Sequence, residues 1–348
     1  MPTSPKPLMP AEWEPHEAIW LGWPHNASDW PGKIAAIHFV YVEIVRKITA
    51  SEKARILVND EKHETKARRF LRLAGIDLRA VEFFRIPTNR GWTRDFGPIF
   101  VRRGKETAIA GFKFNAWAKY DDYKLDCRVA EKLAKRLKTR YLPVAHKGKP
   151  FVLEGGAIDV NGRGTLITTE ECLLDDKIQV RNPGVTRKEY EQVLAEALGA
   201  KNVLWLNKGI AGDDTHGHVD DLCRFVDETT AVLCREANSN DANYRLLEEN
   251  RERAESFKLE NGSKLNVEFL PMPAPLYYCS QRLPASYANF LITNSNVLVP
   301  TFNDSNDRVA LGILAELFPD RTVVGIHAVD LVWGLGTLHC LSQQQPMA

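Results

Sequence analysis

The chain has 348 residues, room for one large domain or two ordinary ones with a sizeable core. Its 44% apolar and 26% charged content is that of a soluble globular protein, and a net charge of +1 removes the electrostatic case for nucleic acid or an anionic membrane as partner. No apolar run is long enough to span a bilayer, and the opening MPTSPKPLMPAEWEPHE has no signal-peptide core. The six cysteines are scattered without a C-x-x-C pair, which argues against a disulfide framework or a cysteine-based zinc site and predicts a cytoplasmic protein with reduced thiols.

In chain order, AIWLGWP (residues 18–24) reads as a short strand closed by Pro24, and the tryptophans around it, Trp13, Trp20, Trp23 and Trp30, read as core. Residues 32–50 have helical apolar periodicity, 55–60 form a strand, and 61–74 form a charged helix ended by Gly75. VEFFRIP is a strand leading into NRGWTRDFGPIFVRR; TAIAGFKFN is another, followed by a helix over 124–138. FVLEGGAIDVNGRGTLITT reads as two or three short strands, with Asn161-Gly162 a hairpin signal. A helix over 187–198 and the strand NVLWL precede GDDTHGHVDDLCRFV, where residues 216–226 read as a strand. TAVLC, a polar helix over 241–257, KLNVEFLPMP, NFLITN, NVLVPTF, a helix over 307–318 and TVVGIHA follow, and the tail is VWGLGTLHCLSQQQPMA. There are too many strands per helix for a doubly wound sheet. A repeated unit of two or three strands and a helix fits better, in one domain over residues 1–348 with no linker to divide it.

Four stretches gather groups able to do chemistry. WTRDFGP holds Trp92, Arg94 and Asp95, LEGG holds Glu154, DDTHGHVDD holds His216, His218 and Asp220, and GLGTLHC holds Cys340 behind Gly334 and Gly336. Taken singly, each has an ordinary alternative: Asp95 a turn residue, Glu154 a solvated strand end, each histidine a partner of backbone carbonyls, Cys340 a small buried hydrophobe.

Together, a thiol, an imidazole and three carboxylates suit nucleophilic attack on a planar cationic carbon such as a guanidinium. Asp95 and Asp220 can take two N–H forks, and Trp92 can cover a face. The bound cation would favour the Cys340 thiolate, His218 can protonate departing ammonia and then activate water, and Glu154 can orient His218. A second reading makes His216, His218 and Asp220 the ligands of a metal-dependent hydrolase, since H-x-H-x-D on a strand has usable ligand geometry. A third is a non-catalytic binder.

WTRDFGP, LEGGAIDV with GTLITTEECLL and RNP, DDTHGHVDDLCRF and HCLSQQQP, with the opening MPAEWEPHEAIWLGWPHN, closely resemble the agmatine deiminases and bacterial-type peptidylarginine deiminases, guanidine-modifying members of the pentein superfamily. The resemblance covers nearly the whole chain. It implies an α/β five-bladed propeller of ββαβ units around a central active site, without metal or cofactor. Position by position it makes Cys340 the nucleophile, His218 the general acid/base, Glu154 its partner, and Asp95 and Asp220 the guanidinium pair. The expected substrate is agmatine, whose ammonium tail would meet acid at Asp213 or, preferably, Asp214; free arginine or peptidylarginine is the alternative. Self-association is also expected from the resemblance. Three features depart from the family: Gly334-Leu335-Gly336-Thr337-Leu338 replaces Gly-Gly-Gly-Asn-Ile, His216 replaces a smaller polar or acidic residue, and residues 175–180 are extra.

His339 adjoins the proposed nucleophile. In an extended segment neighbouring side chains point to opposite faces, so it is poorly placed to act as the base.

Overall fold

A computed structural model describes residues 5–348. Five larger sheets repeat one plan: a short strand pairs antiparallel with a second, and a helix then carries the chain to a parallel third. In one blade Ile99–Arg103 pairs with Glu106–Gly111, and the helix Val129–Leu137 leads to Arg140–Pro143. The next joins Asp159–Val160, Thr165–Thr169 and, beyond the helix Arg187–Leu198, Asn202–Leu206. A third uses Cys223–Phe225, Thr230–Arg235, the helix Ala242–Ala254 and Asn266–Pro271. A fourth uses Leu291–Ile292, Asn296–Thr301, the helix Asn306–Leu317 and Thr322–His327.

The remaining blade is made from both ends of the chain. The C-terminal strand Ser342–Pro346 pairs antiparallel with His16–Gly22, which continues through the helix Ile34–Ile48 to the parallel strand Lys53–Val58. A second helix, Glu61–Leu73, adds Val81–Arg85 as an extra parallel strand. The expected ββαβ propeller is therefore the architecture present.

Local sequence explains why these elements form. Arg187–Leu198 starts at a capping box, in which Thr186 and Glu189 satisfy each other's backbone N–H groups. It ends where Gly199 takes the left-handed conformation at φ +73°. Trp20, Trp23 and Trp30 are wholly buried in the core, as their apolar surroundings predicted, while Trp13 packs against its edge. The six cysteines are all unpaired.

The repeat places the site. The first strand of each blade is preceded within a few residues by one member of a single cluster: Asp95, Glu154, the His218–Asp221 turn, Asn289 and Cys340. Residues distant in sequence thus meet at the hub.

Candidate active site

Cys340 sits at the floor of a cleft of ≈ 180 Å³ whose walls include Trp92, Asp95, Trp117 and Asp214. Its Sγ is 3.7 Å from Asp220 Oδ2 and accepts a hydrogen bond from Asn289 Nδ2 at 3.0 Å. Burial first, then the charges of Asp220 and Asp95, push the thiol well above its ordinary range, while the Asn289 bond pulls the other way. Gly334 and Gly336 hold backbone against Trp92: a Cβ would come within 2.8 Å of its ring at the first and 2.9 Å at the second. Leu335 between them adopts the left-handed conformation at φ +67°.

Asn289 carries none of the motif signals in the sequence, yet it organises the nucleophile turn. Its Oδ1 accepts from Thr337 Oγ1 at 2.8 Å and from His339 N at 3.1 Å, and its Nδ2 also donates to Asp221 Oδ1 at 2.9 Å. Asp220 and Asp221 behave oppositely. Burial raises both, but the His339 ring at 2.6 Å holds Asp220 below the usual carboxylate range, and Asp220's charge helps push Asp221 well above it. Asp220 thus favours its ionised form and keeps Oδ1 without a hydrogen-bond partner, whereas Asp221 is pushed toward the protonated form.

Asp95 closes the opposite wall. Its Oδ1 accepts from Gly156 N at 3.1 Å and its Oδ2 from Trp117 Nε1 at 2.9 Å. Burial raises its carboxyl to about 6 despite the neighbouring His218. Trp117 reaches this position from a tight turn in which Ala116, Trp117 and Ala118 all have left-handed φ, at 52°, 58° and 53°. Such a run of non-glycine residues costs on the order of 1–2 kcal/mol each.

His218 lies between the two walls, wholly buried, with Nδ1 3.7 Å from Asp95 Oδ1 and Nε2 3.9 Å from Glu154 Oε2. These are ion-pair distances, and neither ring nitrogen has a hydrogen-bond partner. Burial disfavours the imidazolium, but Asp95 first, then Cys172 and Glu154, outweigh it and raise His218 well above its ordinary value. Glu154 is held down to about 2: burial raises it, and Arg181 Nε at 3.1 Å together with His218 overcomes that. Cys172, absent from the sequence expectation, lies close enough to Glu154 and His218 that their polar atoms fall within 4.8 Å of one another.

Two expectations change. Residues 216–226 do not form one strand: His216 and Gly217 have positive φ, Val219–Asp221 is a 3-10 turn, and only Cys223–Phe225 is extended. The metal triad therefore does not assemble. His216 Nε2 bonds Asp175 at 2.8 Å, His218 faces Asp95 and Glu154, and Asp220 faces His339. His216 instead ties down the extra residues 175–180. Asp214 does line the cleft, but one oxygen is engaged by Lys119 and the other by Tyr120 Oη at 2.7 Å.

A ring of ββαβ blades with a cysteine, a histidine and acids brought to its hub defines the pentein class, and a match to a family model described as Porphyromonas-type peptidyl-arginine deiminase, over residues 8–346, narrows it. The chain belongs to that family. It is 35% identical to the agmatine deiminase of Ectopseudomonas mendocina, the alignment covering 97% of this chain and 95% of that one. Among solved structures, the agmatine deiminase of Enterococcus faecalis superposes with a TM-score of 0.88 at 29% identity, over 99% of this chain and 98% of that one. A substrate-bound agmatine deiminase from C. jejuni gives 0.85 at 31% identity, over 97% and 96%.

Proposed function

We propose that the chain is an agmatine deiminase, converting agmatine and water to N-carbamoylputrescine and ammonia in one catalytic domain spanning residues 1–348. The observation that carries this reading is the excess of negative charge around a buried thiol: ionised Asp220 with a free oxygen on one side of Cys340, Asp95 on the other. Such a site selects a planar cation with N–H groups on both edges. A cleft of ≈ 180 Å³ matches a small guanidine compound.

In this mechanism Asp95 and Asp220 hold the guanidinium plane, and its charge favours loss of the Cys340 thiol proton to solvent, leaving the thiolate. Sγ attacks the guanidinium carbon, giving a tetrahedral adduct. His218, protonated by virtue of its carboxylate neighbours, gives its proton to the departing nitrogen, and ammonia leaves an amidino-cysteine. The neutral imidazole then takes a proton from water as it attacks the same carbon. Collapse breaks the C–S bond, the hydroxyl proton passing to the departing sulfur, which restores the thiol and frees the ureido product. Glu154, fixed by Arg181, stabilises the imidazolium at both stages. No step requires a metal or cofactor.

The tail assignment carries a condition: an ammonium reaching Asp214 must displace Lys119. Arg90 also lines the cleft, but Asp29 at 2.5 Å and Asp122 at 3.0 Å already hold it, which disfavours it as a receiver for the carboxylate of free arginine. Steady-state ammonia release from agmatine, free arginine and an arginyl peptide is the test. Agmatine should give the highest kcat/KM, and preference for the peptide would overturn the assignment. Full activity after exhaustive chelation is the companion expectation.

A further inference from the structure

Glu12 lies on the N-terminal arm, outside any strand or helix, yet it is buried beneath the hub. Its Oε1 accepts from Ile292 N at 2.9 Å. Its Oε2 faces three donors: His339 Nε2 at 2.7 Å, Arg224 Nη2 at 2.9 Å and Arg94 Nη2 at 3.3 Å. His339 is the link upward, because its other ring nitrogen lies 2.6 Å from Asp220 Oδ2. The chain of contacts runs Glu12, His339, Asp220, and ends 3.7 Å from Cys340 Sγ.

We propose that Glu12 is a positioning residue that, through His339, keeps Asp220 aimed at the cleft and free to bind a guanidinium from solution; this rests on the assignment of Asp220 made above. Two considerations support it. Asp220 Oδ1 has no partner, so the hydrogen bond from His339 is what fixes the carboxylate's orientation, and an imidazole anchored at one nitrogen alone could swing. The second is competition. Arg94 and Arg224 are themselves buried guanidinium groups close enough to Asp220 for its charge to act on both. Arg224 is shared between Glu12 and Asp159, and Arg94 reaches Glu12, Gln344 and the His339 carbonyl. Asp220 has an unused oxygen, and its charge already acts on both arginines, so with the Glu12 charge removed it stands to draw them. The protein's own guanidinium groups would then compete with the substrate for the same acid.

The test is Glu12→Gln, which keeps the shape and removes the charge, measured for KM, kcat and thermal midpoint. KM for agmatine should rise about ten-fold or more while kcat per folded enzyme stays within about three-fold, the pattern of lost substrate binding. His339→Gln, whose amide cannot span both carboxylates, should raise KM similarly, and the double variant should be no worse than the poorer single one. A lowered thermal midpoint with KM unchanged would leave Glu12 a structural role only and overturn the proposal, as would strictly additive effects on KM. If Glu12→Gln fails to fold, His339→Gln decides alone, because it leaves Glu12 with Arg94 and Arg224; an unchanged KM there overturns it. Should the wild type release no ammonia from agmatine, the substrate assignment fails separately. The same KM ratios, taken on whichever guanidine compound the wild type does turn over, then judge the role of Glu12.

Discussion

Gly156→Ala adds one methyl group at the point where the two walls of the site meet. A Cβ there would stand 2.5 Å from His218 Nδ1, 2.9 Å from Asp95 Oδ1 and 3.1 Å from His218 Cε1. Gly156 does not occupy the left-handed region, so alanine meets no backbone penalty and the perturbation is the contact itself. An ordinary contact begins near 3.4 Å, so the imidazole must retreat by about 0.9 Å or the strand lead must shift by a similar amount. His218 is wholly buried, and Glu154 lies across its other nitrogen, which leaves little room to give. A misplacement near 1 Å of a group that delivers a proton costs about 10²-fold, equivalent to roughly 2.7 kcal/mol of barrier. Overpacking should also lower stability by about 1–3 kcal/mol. The assay is steady-state ammonia release from agmatine alongside thermal unfolding of the same preparation. A folded Gly156→Ala enzyme retaining more than about half of wild-type kcat would refute the placement of His218 against this wall.

Cys340→Ser should abolish turnover, whereas Cys127→Ser and Cys279→Ser, at a half-buried and an exposed position, should leave ammonia release near wild type. A Cys340 variant that still turns over would overturn the covalent mechanism. His218→Ala should cost on the order of 10³-fold or more in kcat, and His339→Ala far less, chiefly in KM, because His339 reaches the reaction only through Asp220. Equal losses in kcat would contradict that division. Acidification should weaken agmatine binding as pH falls through about 6, where Asp95 takes up a proton and half of the clamp loses its charge. Because this carboxyl is raised above its unfolded value of 3.8, the folded state binds more protons than the unfolded state between those two values. Its contribution to stability therefore improves as pH falls through that window, opposite to activity, and kcat/KM and thermal midpoint measured over the same range check both signs.

Much of this site was legible because it is built from titratable residues at strand junctions beside glycines. Cys340, His218, Glu154, Asp95 and Asp220 do meet at one hub, and the helix expected over 187–198 spans Arg187–Leu198. Other features left no local mark. Asn289 is a neutral residue in ASYANF, and its importance comes from partners 48 to 68 residues away. Glu12 reads as part of a proline-rich leader, yet its donors lie 82 to 327 residues downstream. Period-two reasoning failed over residues 216–222 because positive φ at His216 and Gly217 turns the chain, a choice supported by the hydrogen bonds that Asp213 Oδ2 accepts from Gly217 N and His218 N. His339 lies in a turn rather than an extended segment, so the opposite-faces argument does not apply: its ring and the Cys340 thiol both reach Asp220 Oδ2. What the sequence could not tell was its destination between two carboxylates.

The blade assembled from both ends of the chain has a consequence for synthesis. Translation makes Asp95, Glu154, His218 and Asp220 before Cys340, which comes just ahead of the strand that closes the ring. A nascent chain can therefore build blades and collect carboxylates before the thiol is beside them. Ring closure and the arrival of Cys340 at the hub thus coincide.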